Sequence, residues 1–69
     1  MEIRTLRYFL AVAELGNISK AAVFLHTSQP NITRQLKDLE LEIGKPLFKR
    51  GKGMILTEEG HYLKIKRDK

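Results

Sequence analysis

Apolar residues recur along the chain at helical spacing in three stretches, each closed by a glycine or a short polar break. Between Ile3 and Leu15, the residues Ile3, Leu6, Leu10 and Ala13 stand three or four apart, and Phe9 and Val12 widen the stripe. That period predicts an amphipathic helix, and Gly16 stands where it would stop. A second, shorter segment runs from Ser19 to Leu25, with Ala21, Ala22 and Leu25 small or apolar and Ser19 as its candidate cap. A third runs from Ser28 to Ile43. There Ile32, Leu36, Leu39 and Ile43 repeat at spacings of four, three and four. Ser28 stands at the cap position, and Pro30 lies in the first turn, where a missing N–H costs little. Gly44 and Pro46 end the segment. Then the pattern changes. Leu47 to Arg50 and Met54 to Thr57 are short β-prone pieces flanking Gly51-Lys52-Gly53, which predicts a small hairpin, or wing. Thr57 followed by Glu58 and Glu59 predicts the start of a fourth helix, because a hydroxyl caps it and acids suit its positive end. The expected core is Leu6, Leu10, Leu25, Ile32, Leu36, Leu39, Leu47 and Phe48. Tyr8 and Phe9 fall in the first apolar band, as core or subunit contact.

Composition narrows the function more than the fold. The 69 residues suffice for one small domain, and 42% hydrophobic against 30% charged residues marks it as globular. Thirteen Lys and Arg against eight Asp and Glu give a net charge of +5, which points to an anionic polymer or surface as partner. Cysteine is absent, which excludes disulfides, thiolate zinc sites and a thiol nucleophile. No apolar run approaches the ~20 residues that cross a bilayer, and the opening MEIRTLRYF is not a secretory signal. A domain of this size leaves little room for a catalytic cleft. Gly51-Lys52-Gly53 is too short for a Walker motif, and no His is paired with a carboxylate in a recognisable motif. His26 and His61 lie far apart without metal-ligand spacing, and His26 reads as structural. No enzymatic activity, cofactor or metal is therefore expected.

The charge is laid out unevenly. No acid occurs from Leu15 to Lys37, and the acids of the third segment, Asp38, Glu40 and Glu42, all come later. A short helix, a tight turn and a longer helix with a polar face form the helix-turn-helix pattern, here about 18–37. Small Ala21 and Ala22 let the two helices cross closely, and Gln29, Asn31, Thr33, Arg34, Gln35 and Lys37 are left facing out. A recognition helix meets base edges with its N-terminal residues, so the acid-free half is the half suited to approach phosphates. The competing reading is a winged-helix protein–protein interaction module without a specific DNA target. It would require an exposed apolar patch, and the polar third helix argues against one. Aromatic residues total 7% and none lies among the basic wing residues, which argues against a single-strand stacking surface.

These residues also resemble a family. Leu6-Arg7-Tyr8-Phe9-Leu10-Ala11-Val12-Ala13-Glu14, Gly16 and Ser19 to Ala22 resemble the N-terminal helices of LysR-type transcriptional regulators. Leu25-His26, Ser28-Gln29-Pro30, Thr33-Arg34-Gln35-Leu36 and Leu39-Glu40 resemble that family's recognition helix. Gly44, Pro46-Leu47-Phe48, Arg50, Leu56-Thr57-Glu58 and Gly60 resemble its wing and the start of its linker helix. The similarity covers positions 2 to about 60. It implies a mainly α fold, a winged helix-turn-helix over 1–58 with a three-helix core, and a linker or dimerisation helix beginning over 59–69. It also implies a cytoplasmic regulator that binds imperfect palindromes in double-stranded DNA as a homo-oligomer. A small-molecule co-inducer would bind an effector domain absent from this chain, and the helix still running at Lys69 fits an excerpt of a longer protein. Three features depart from the family pattern. Thr27 is polar where members often carry a small aliphatic residue, which weakens the turn packing slightly. The wing between Arg50 and Leu56 is about one residue shorter, and the tail after Gly60 is more basic.

The resemblance places Gln29, Pro30, Thr33 and Arg34 at the base-reading surface. Gln29 can pair bidentately with adenine and Arg34 with guanine; Pro30 can rest on a thymine methyl, and Thr33 can reach a base or a phosphate. As plain structure, Gln29 is a first-turn polar residue, Pro30 a helix initiator and Arg34 a solvated cation. Ser28 caps and sits near a phosphate, and Lys20 is a phosphate candidate at the start of the second helix. Asn31 and Lys37 complete the helix set. Arg50 is the candidate for the minor groove, with Lys49 and Lys52 adding non-specific attraction; as plain structure these three are a solvated loop.

Overall fold

The helix boundaries follow the local chemistry of their ends. The computed structural model describes residues 2–49, 51 and 53–67. Helix α1 spans Ile3–Leu15 and closes at Gly16, whose left-handed φ of 66° lets its N–H reach Val12 O. Helix α2 spans Ile18–Leu25, one residue longer at its start than the sequence suggests. Its cap is Asn17, not Ser19. The Asn17 side chain accepts the Lys20 N–H at 2.9 Å, and Ser19 is already inside the first turn. Helix α3 spans Gln29–Ile43, capped by Ser28, whose hydroxyl accepts the Asn31 N–H at 3.2 Å. Helix α4 spans Glu58–Arg67. Thr57 caps it by accepting the Gly60 N–H at 3.1 Å, and the same hydroxyl donates to Pro46 O at 2.7 Å.

Helices α1, α2 and α3 pack on one another around Phe9, Val12, Ile32, Leu39 and Leu47, all fully buried. Ala21, Ala22, Leu36 and Leu56 complete the core. Burying side chains of this kind contributes about 1.5–3 kcal/mol each for the larger ones. The expected core is corrected in two ways. Leu6, Leu10, Leu25 and Phe48 are only half-buried, packed against the core from its edge. On α1 the fully turned-in face is Thr5, Phe9 and Val12, while Ile3 is 83% exposed. Two stripes overlap on that helix, and the one carrying the aromatic ring faces inward. Phe9 also meets Phe48 in a tilted ring pair, with centroids 5.6 Å apart.

The expected hairpin is the main correction. Among the described residues no strand forms between Leu47 and Thr57. A single antiparallel bridge joins Phe48 and Leu56, flanked by Lys49 N–H to Ile55 O at 2.7 Å and Thr57 N–H to Leu47 O at 2.9 Å. The Leu47 N–H, the donor the next rung would use, goes instead to the Glu40 carboxylate at 2.7 Å, which also accepts the outward-facing Phe48 N–H at 3.3 Å. Pro46 has no N–H to offer, and Gly51 and Gly53 both take left-handed φ values, 74° and 70°, that turn the tip. Pairing therefore ends after one rung. Beyond it, α4 docks through Gly60, which is buried against the Leu47 carbonyl and the Leu56 side chain.

Candidate nucleic-acid interface

The turn between α2 and α3 is short because His26 reverses the chain in one step. It takes the left-handed conformation at φ 57°, and its N–H and that of Thr27 close back onto Val23 O and Ala22 O. Ser28 then starts α3 at once. With Ile32, Leu36 and Leu39 turned into the core, the opposite face of α3 is open to solvent. Gln29, Pro30, Thr33, Arg34 and Lys37 are all exposed and together line one shallow, open depression. No acid contributes to it. A helix with its side chains is about 10–12 Å across, matching the width of the B-DNA major groove, about 12 Å.

A second crevice lies between α3 and the segment 46–57. Thr33 and Lys37 border it from the helix, and Lys49, Phe48, Gly53 and Met54 from the loop. Lys37 and Lys49 therefore sit on one continuous surface. Lys20 is exposed on the first turn of α2, outside both depressions. Ser28 is exposed with its hydroxyl engaged as the cap acceptor. Arg50 and Lys52 lie outside the described residues.

Asn31 is placed differently from the other candidates. It is half-buried, and its amide nitrogen donates to Thr27 Oγ1 at 2.9 Å and to the Tyr8 hydroxyl at 3.4 Å. Its amide oxygen accepts from Arg34 Nη2 at 2.8 Å. Thr27, read from sequence as a packing loss, is thus a hydrogen-bond acceptor. Nearby, Thr5 Oγ1 donates to Gln35 Oε1 at 3.1 Å. Two polar links therefore join α1 to α3. Sequence spacing carried no signal for them, because they depend on where α1 crosses α3. Glu40 was missed as well; it reads as an ordinary late-helix acid. Among the described residues, no buried side-chain N or O lacks a hydrogen-bond partner, and no cluster of His, Asp or Glu is arranged to hold a metal ion.

Residues 3–61 match the family described as bacterial regulatory helix-turn-helix protein, lysR family. The chain belongs to the LysR family. It is 53% identical over 62 residues to the HTH-type transcriptional regulator TcbR of Pseudomonas sp. strain P51, and 57% identical over 61 residues to ClcR of Pseudomonas putida. These matches cover 88% and 87% of this chain but 21% of each regulator, so the chain spans about a fifth of their length. Among solved structures it is similar to the CbnR DBD–DNA complex, with a TM-score of 0.91 and 48% identity over 99% of this chain and 79% of that one. It is also similar to the complex of the BenM DBD with catB site 1 DNA, with a TM-score of 0.90 and 43% identity over 96% of this chain and 75% of that one. The LysR family is one of regulators rather than enzymes. Four helices in this order, with the turn after α2, are the architecture shared with these neighbours.

Proposed function

We propose that this domain reads double-stranded DNA for a LysR-type transcriptional regulator. The observation that carries the reading is the acid-free, exposed face formed by Gln29, Pro30, Thr33, Arg34 and Lys37 at the start of α3. That face enters the major groove, where Gln29 pairs with adenine, Arg34 with guanine, Pro30 meets a thymine methyl, and Thr33 reaches a base or a phosphate. Lys20 and Ser28 anchor phosphates beside it. The segment 46–57 is the wing, with Arg50 directed to the minor groove and Lys37, Lys49 and Lys52 adding attraction to the backbone. Residues 1–58 form the reading domain, and 59–69 begin the linker and dimerisation helix. Both structural neighbours above are complexes with DNA, which supports the same partner here.

For the full-length parent, family resemblance supports a cytoplasmic homo-oligomer on an imperfect palindromic operator, with a small-molecule co-inducer bound by an effector domain. Among the described residues no helix is long and apolar enough to cross a membrane. The protein–protein alternative is not favoured, because the face carries Arg34 and Lys37 with no acid and the two structural neighbours named above are complexes with DNA.

Fluorescence anisotropy with a duplex selected from random sequence tests the reading. Affinity should fall linearly on a log–log scale between about 50 and 200 mM salt, because bound phosphates release counterions. A scrambled duplex should bind at least about tenfold more weakly. Salt-independent binding, or equal affinity for both duplexes, would refute it.

A further inference from the structure

We propose that Asn31 is a positioning residue that presets Arg34 for base reading, held in place by Tyr8 and Thr27. The inference rests on the DNA reading above and adds to it a determinant of specificity that does not itself touch DNA.

The geometry fixes the direction of the relay. Arginine has no acceptor, so the Asn31 atom facing Arg34 Nη2 at 2.8 Å is the amide oxygen. The amide nitrogen must then face the other way, where the Thr27 and Tyr8 oxygens receive it. Arg34 alone decides the orientation of the amide, since each hydroxyl can donate or accept and adapts to it. Thr27 comes from the turn and Tyr8 from α1, so three parts of the domain converge on one side chain. One helical turn further along α3, the link from Thr5 to Gln35 fastens the same two helices. Helix α1 thereby sets both the rotation of α3 and the amide plane of Asn31.

The consequence falls on Arg34. A free arginine must give up much rotamer freedom to pair with a base. Here one of its five N–H donors is already engaged along the helix surface, and four remain. Bidentate pairing with guanine O6 and N7 uses two. The Asn31 bond can therefore persist in the complex instead of competing with it. Asn31 is half-buried and does not line the depression that Arg34 lines, which separates a positioning role from direct contact.

Two measurements test the relay, one without DNA. In the free protein, NMR relaxation of the Arg34 Nε–H should show a more mobile guanidinium in Asn31→Ala, and a smaller change in the same direction in Thr27→Val. Alanine is the better helix former, so the domain should stay folded, and Thr27→Val keeps the side-chain shape if it does not. An Arg34 side chain equally mobile in wild type and both variants would overturn the proposal while leaving DNA binding untouched. With DNA, site selection should show Asn31→Ala relaxing preference by about three- to tenfold at the one base pair that Arg34→Ala also relaxes, with an unchanged salt slope. Adding Asn31→Ala to Arg34→Ala should change nothing further. Additive effects, or a changed preference at a different base pair, would overturn it; a wild-type protein without any preference would refute the DNA reading itself.

Discussion

The Glu40 carboxylate accepts the N–H of Leu47 at 2.7 Å and, more loosely, that of Phe48 at 3.3 Å. One side chain of α3 thus holds the chain as it leaves for the 46–57 loop, and it does so beside a fully buried leucine. Removing it strands a backbone donor with no strand partner to replace it. Glu40→Ala should cost about 1–3 kcal/mol, or about 4–8 °C in Tm per kcal/mol for a domain of this size. Glu40→Gln keeps an acceptor without the charge and should cost about half as much. Thermal denaturation by circular dichroism reads both, and an Ala variant as stable as wild type would show the contact to be idle.

Gly60 lies inside α4, where alanine would ordinarily stabilise by about 1 kcal/mol. Here a Cβ would press into the Leu47 carbonyl oxygen and stand 2.8 Å from Leu56 Cδ2. Backbone does not yield as a flexible side chain does, so the sign reverses. Gly60→Ala should destabilise by about 1–3 kcal/mol, whereas His61→Ala, exposed next to it, should stay within about 0.5 kcal/mol. Chemical denaturation of the pair decides, and a stabilised Gly60→Ala would mean that α4 does not dock closely on Leu47 and Leu56.

The two candidate caps of α2 give a clean comparison. Asn17 accepts the Lys20 N–H, while Ser19 is exposed within the first turn. Asn17→Ala should cost about 1 kcal/mol and Ser19→Ala less than about 0.5 kcal/mol. Equal losses in an unfolding titration would count against Asn17 as the cap.

What the sequence disclosed and what it hid divide along a physical line. Helix ends depend on a few adjacent residues, so Ser28, Thr57, Gly16 and Gly44 were legible, and only the choice between Asn17 and Ser19 went astray. The exposed polar face at the start of α3 was legible too, because Ile32, Leu36 and Leu39 turn inward and leave 29, 30, 33, 34 and 37 outside. On α1 the apolar residues cover too broad an arc for spacing alone to select Phe9 and Val12 over Leu6 and Leu10. The hairpin failed for a tertiary reason: β-propensity is local, whereas the Leu47 N–H that the next rung would use goes to Glu40, seven residues back. Asn31 is of the same kind, its role being set by Tyr8, 23 residues away.

Base reading and backbone anchoring should separate by mutation. Arg34→Ala should weaken binding by about 1–3 kcal/mol at particular base positions and relax preference there. Lys20→Ala should weaken all sequences about equally and lower the salt slope by about one. Anisotropy on a panel of single-base variants measures both, and a preference profile unaltered by Arg34→Ala would remove that residue from the reading set.

Backbone amide mapping of the isotopically labelled domain during titration with a selected duplex bears most directly on α3 as the reading element. Shifts concentrated over residues 28–37, with smaller ones in the 46–57 loop, are expected. Amides of 28–37 that stay in place while another surface responds would contradict it.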